Sequence, residues 1–126
     1  MKKKRPAKRI RSFKIENDVW QYVLFVRVGG TREQAESWFD KTFGEPQSLA
    51  WLSKCRNATT FYRTDERSHL IWFDAKPGGG IVSHEALHSV QHVLSHSGLG
   101  PLSEATEEAY AYLLGWTVMQ IGLRLW

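Results

Sequence analysis

At 126 residues the chain has the length of a single domain, and six Trp, six Phe and four Tyr supply much of a modest core that needs no staples. The lone Cys55 excludes an internal disulfide and is expected as a small core or surface residue in a reducing, cytoplasmic compartment; no stretch is apolar for long enough to span a membrane, and no apolar segment follows the basic N-terminus as a secretory signal requires. The net charge of +4 conceals an asymmetry, because residues 1–14 hold eight of the 17 basic residues and no acid, while the remainder carries nine basic and 13 acidic residues.

The basic set is Lys2, Lys3, Lys4, Arg5, Lys8, Arg9, Arg11 and Lys14. Residues 1–14 therefore read as a flexible basic arm and residues 15–126 as one acidic domain. Such an arm binds nucleic acid or another polyanion by counterion release, or simply keeps the chain in solution. No aromatic is interleaved before Phe13, and no base-reading motif follows.

Residues 19–30, VWQYVLFVRVGG, are β-branched and aromatic and end in Gly29-Gly30, so they read as a buried strand, the first of a sheet. Thr31 with Gln34 makes a capping box, after which Ala35, Trp38, Phe39 and Phe43 recur at helical spacing before Gly44 as C-cap. The spacing predicts an amphipathic helix lying on the sheet. Residues 45–57 read as a loop anchored by Trp51. Residues 58–64 and 69–74 are strand-like on either side of Asp65-Glu66-Arg67, which predicts a β-hairpin.

Lys76-Pro77-Gly78-Gly79-Gly80 leads into a helix expected over residues 81–97 and stopped by Gly98. Gly100-Pro101 then breaks the chain. Ser103 is the expected N-cap of a last helix running nearly to Trp126, with Tyr110, Leu113, Leu114, Thr117, Val118, Ile121 and Leu125 on its apolar side.

The first of these two helices carries HEALH. Residues four apart lie one above the other, so His84 and His88 present their imidazoles to one point with Glu85 beside them. Neutral imidazole is a good zinc ligand, and a neighbouring carboxylate can deprotonate a zinc-bound water. A third ligand is available from Glu104, Glu107 or Glu108. Glu104 and Glu107 have a separate explanation, since carboxylates in a first turn favour the positive end of the helix dipole. His92 and His96 extend the four-residue step but lie too far along the axis for the same site; His92 reads as a cleft residue and His96 as a charge at the helix C-terminus. The competing reading is an amphipathic helix whose surface histidines take up metal adventitiously.

With Glu108 in an ExxA pattern, Glu108 to Ala111, and nineteen residues separating it from His88, the chain resembles the zincin metallopeptidases, in particular the gluzincin branch, whose third ligand is a Glu on the following helix. The EALHSVQ and EEAYAY blocks look most like small phage-encoded metallopeptidase-like proteins, and the resemblance covers roughly the C-terminal third. Thermolysin-like enzymes place an Asp four residues after that Glu to hold the first His; here the position is Tyr112, so Tyr112 or another group must hold His84. The metzincin pattern is excluded, its Gly and His positions being Gln91 and Leu94.

The resemblance implies an α+β, minimal zincin-like fold: a small, mainly antiparallel sheet of about three strands packed against an N-terminal helix, the HExxH helix and a long C-terminal helix. It implies Zn2+ held by His84, His88 and Glu108, Glu85 as general base, and a peptide or protein substrate whose carbonyl is attacked by water. Tyr110, Tyr112, His69 and His92 are candidates for the group that stabilises the oxyanion. Residues 69–74 are either the edge on which an extended peptide docks or an inner strand whose Trp72 and Phe73 simply pack. The alternative is a non-catalytic zincin-like phage or virion-associated protein whose basic arm contacts nucleic acid in the host cytoplasm.

Overall fold

The computed structural model describes residues 10–43, 50–51, 57–62 and 68–126. The arm up to residue 9, Gly44, Cys55, the Asp65-Glu66-Arg67 turn and the side chains of Phe43 and Trp51 lie outside the described residues. Eight elements follow in order: β1 Arg11–Asn17, β2 Tyr22–Val28, α1 Arg32–Phe43, β3 Ala50–Trp51, β4 Ala58–Tyr62, β5 Ser68–Phe73, α2 Gly79–His96 and α3 Glu107–Leu125.

The class is α+β, as the sequence predicts, but the sheet is larger. Four strands of ordinary length and the two-residue β3 form one sheet in the order β1-β2-β5-β4-β3. The additional strand is β1, whose first half, residues 11–14, is the end of the expected arm. Its alternation places Phe13 and Ile15 opposite Val26 and Leu24 of β2, an antiparallel pairing closed by a turn at residues 18–21 in which Gln21 takes φ 51°. Arg11 is further tied down by a hydrogen bond from its guanidinium to the Arg124 carbonyl at 2.6 Å. An apolar alternation thus outweighs the local excess of charge.

β4 and β5 pair antiparallel, as the expected hairpin requires. β5 then pairs parallel with β2, so it lies inside the sheet and not at an edge, and all six of its residues are buried. An extended peptide therefore has no free backbone to pair with there. The parallel pair demands a crossover, and α1 supplies it. The Thr31–Gln34 capping box forms in both directions, Gln34 N–H donating to the Thr31 hydroxyl at 3.1 Å and Thr31 N–H to the Gln34 side chain at 2.9 Å.

The sheet is covered on both faces. Ala35 and Phe39 of α1 pack with Phe61, Leu70 and Trp72 on one side. On the other, Leu24, Val26, Ile71 and Phe73 meet Val82, Ala86, Val90 and Val93 of α2 and Leu113, Ile121 and Leu125 of α3. Burying a Leu, Ile or Phe side chain is worth roughly 1.5–3 kcal/mol, and this second layer fixes α2 against the sheet.

α3 begins later than expected. Thr106, not Ser103, is its N-cap, because Thr106 closes a turn first: its hydroxyl accepts from Ser103 N–H at 2.8 Å and donates to the Pro101 carbonyl at 2.9 Å. Glu104 is left outside the helix, and Glu107 and Glu108 both fall in its first turn.

Candidate metal centre

α2 carries three parallel stripes. Val82, Ala86, Val90 and Val93 form the apolar one that enters the core. Beside it Glu85, Ser89 and His92, spaced four and three residues apart, are also buried and face β4, β5 and β2. His84 and His88 run along the rim, His84 exposed and His88 half-buried. The histidine pair is thus open to solvent on one side and backed by a buried polar layer on the other.

The ring nitrogens His84 Nε2 and His88 Nε2 lie 3.2 Å apart. Zinc–nitrogen bonds of 2.0–2.1 Å at the tetrahedral angle separate two ligand nitrogens by about 3.3 Å, so the pair already has the spacing of one edge of such a site. Glu85 Oε2 lies 3.6 Å from His84 Nε2, and donor atoms of His84, Glu85 and His88 all fall within 4.8 Å of one another. These three residues can hold a metal ion.

Glu85 is fully buried, and an ionised carboxylate out of water needs donors. Thr60 of β4 provides one, its hydroxyl donating to Oε1 at 2.7 Å. That hydroxyl also lies 3.2 Å from the Glu85 carbonyl. The result is a carboxylate gripped from the sheet through one oxygen, with the other turned towards the histidines.

One turn further, the Ser89 hydroxyl is hydrogen-bonded to the Tyr22 hydroxyl and lies 2.6 Å from His69 Nδ1. Burial pushes the Tyr22 phenol well above the usual tyrosine range, against a smaller opposing effect of its bond to Ser89. His92 then stacks on Tyr62, with ring centroids 3.8 Å apart, and meets the His69 and His96 rings at 5.2 and 4.1 Å. Sequence reasoning missed Thr60, Ser89, Tyr22 and Tyr62. The signal was present in the polar positions 85, 89 and 92 at helical spacing inside a helix whose neighbours are apolar.

Compared with protein-family models, with curated proteins and with solved structures, the chain gives no match in any of the three. The site therefore stands on its own geometry.

Of the expected site residues, the structure brings together His84, Glu85 and His88 and leaves the others elsewhere. Glu108 is exposed and is not part of the cluster. The reason is the length of α2, which runs on for eight residues past His88, about 12 Å at 1.5 Å per residue, before the chain turns back. The start of α3 is tied to the loop that follows α2, Tyr110 donating to the Gly100 carbonyl at 2.8 Å. Glu107 shares the position and the exposure of Glu108, and Glu104 is an exposed turn residue.

Tyr110 is engaged in this structural bond, and burial raises its phenol above the ordinary value. Tyr112 is exposed and lines a groove with residues 16–20 and Trp116, so it does not hold His84. His69 and His92 sit in the buried layer behind the pair. Among the described residues no helix is long and apolar enough to cross a membrane.

Proposed function

We propose that the chain is a zinc-dependent peptidase or amidase, with His84 and His88 as two of the metal ligands and Glu85 as the proton acceptor beside them. One observation carries the reading: two imidazole nitrogens 3.2 Å apart next to a buried carboxylate whose nearer oxygen is 3.6 Å from one of them. Zinc held there supplies a water of lowered pKa and an electron-poor centre for a carbonyl oxygen.

The chain's own residues supply the rest. Thr60 holds Oε1 of Glu85, and Oε2, on the side of His84, takes a proton and returns it to the leaving amine. Burial removes competing water from that carboxylate, so the proton stays within the site. Exposure of His84 leaves the opposite side accessible to a chain-like substrate. Glu108 has no part in this arrangement, and among the described residues the cluster is His84, Glu85 and His88, so with Glu85 acting as the base two protein ligands are left for the metal.

That last fact supports a second reading, in which the metal is bound without turnover and the basic arm contacts nucleic acid in a phage or virion-associated protein. Hydrolysis of a random peptide library separates the two. Cleavage abolished by a chelator, restored by zinc and absent from a Glu85→Gln variant that still binds zinc is expected of the peptidase. No cleavage, with nucleic-acid binding that weakens steeply as salt rises, is expected of the second.

A further inference from the structure

α3 buries Tyr110, Leu113, Thr117, Ile121 and Leu125 in the core, yet its opposite side is apolar as well. Tyr112, Trp116, Met119, Leu123 and Trp126 follow one another at intervals of four, three, four and three residues, which draws a single line along the helix. Tyr112 is 74% exposed, Met119 53%, Leu123 68% and Trp126 58%, and Trp116 is half-buried. A surface helix of a globular domain ordinarily presents charge on the side away from the core. Here no charged residue stands between Glu108 and Arg124.

We propose that this line is a homodimer seam, in which α3 packs antiparallel against α3 of a second copy of the chain about a two-fold axis at Met119. A four-three repeat is self-complementary, because the knobs of one copy meet the gaps of the other. Met119 is the midpoint of the line, so Tyr112 falls opposite Trp126 of the partner subunit. Next to Tyr112 lies a groove of about 330 Å³ lined by Val19, Trp20, Tyr112 and Trp116 together with Glu16, Asn17 and Asp18. An indole fits such a groove.

The antiparallel direction follows from charge. Parallel packing would gather Glu107 and Glu108 of both copies at one end and align the two helix dipoles; antiparallel packing separates the carboxylates and opposes the dipoles. Gly115 lies beside the line in mid-helix, where glycine is unfavourable relative to alanine, and a Cβ added there would meet nothing within 4 Å inside this chain. Close approach of a second helix gives it a reason. Counting the exposed parts of the five side chains, each copy would bury about 600 Å², and the pair about 1,200 Å², the lower end for a specific interface.

Sedimentation of the full chain at micromolar concentration tests the seam. Twice the 14.5 kDa chain mass is expected, with Leu123→Glu and Trp126→Ala each weakening self-association at least about tenfold while circular dichroism stays unchanged. In a Cys55→Ser background, Met119→Cys should give a disulfide-linked dimer under mild oxidation, which traps the pair even if it dissociates readily. A dimer indifferent to Leu123→Glu overturns the seam. So does a chain that is monomeric and not trapped by Met119→Cys, and if that monomer floats with phosphatidylserine vesicles the line belongs to a lipid surface instead.

Discussion

Thr60 on β4 donates to Oε1 of Glu85 on α2 at 2.7 Å, so the sheet grips the carboxylate beside the histidine pair. A hydrogen bond to a charged buried group is worth about 1.5–3 kcal/mol. Thr60→Val keeps the shape and removes the donor, and should lower stability by about that amount; Thr60→Ser should recover most of it. Glu85→Gln, which keeps an acceptor for Thr60 and removes a buried charge, should leave the protein at least as stable as the parent. Urea unfolding midpoints of the four proteins decide this, and a destabilised Glu85→Gln would show that the carboxylate is there for the fold.

Metal stoichiometry follows from the positions of the side chains. Elemental analysis of protein purified without a metal-affinity tag should find about one zinc per chain, lost in His84→Ala and in His88→Ala. Because His84 is exposed, its truncation should leave the fold intact. Glu108→Ala should retain the metal, since Glu108 is exposed and stands outside the cluster of His84, Glu85 and His88. Loss of zinc in that variant would mean that Glu108 reaches the metal after all.

That placement is also where sequence reading reached its limit. His84, Glu85 and His88 were legible because a four-residue step on one helix fixes their relation without any tertiary information. The capping box of α1 and the β4–β5 hairpin were legible for the same reason, both being local. Glu108 depended on how far α2 runs before the chain reverses, and the helix is long because Val90, Val93 and Leu94 continue its apolar stripe past the site. Residues 11–14 read as an arm because they continue a run of basic residues and their apolar alternation is short; pairing with β2 makes them a strand. The inner position of β5 required the parallel pairing with β2, which no short-range pattern announces.

Tyr22 makes stability fall in alkali. Its folded-state ionisation is pushed upward by burial, whereas the unfolded side chain ionises near the ordinary value of about 10. Above that pH the unfolded state binds fewer protons than the folded one, so stability is full below about pH 10 and falls as pH rises beyond it, at up to about 1.4 kcal/mol per unit. Tyr22→Phe should remove this slope while leaving behaviour at neutral pH dominated by the lost bond to Ser89. Guanidinium unfolding at several pH values from neutral to strongly alkaline, parent beside variant, measures it; equal slopes would show that Tyr22 reaches solvent.

Ser89 couples two strands through one hydroxyl, bonded to Tyr22 on β2 and facing His69 Nδ1 on β5. Ser89→Ala takes the hydroxyl away from both groups inside the core, and a buried polar atom deprived of its hydrogen bond costs about 1–3 kcal/mol. The single variant should therefore lose more stability than the bond itself is worth. Adding Tyr22→Phe to it replaces the second partner by an apolar group of the same shape, and the double variant should be more stable than the two single losses added together, by about 0.5–3 kcal/mol. The cycle is read from denaturant midpoints. Additive losses would mean that Tyr22 and Ser89 act independently, and that the polar layer behind His84 and His88 is not a connected network.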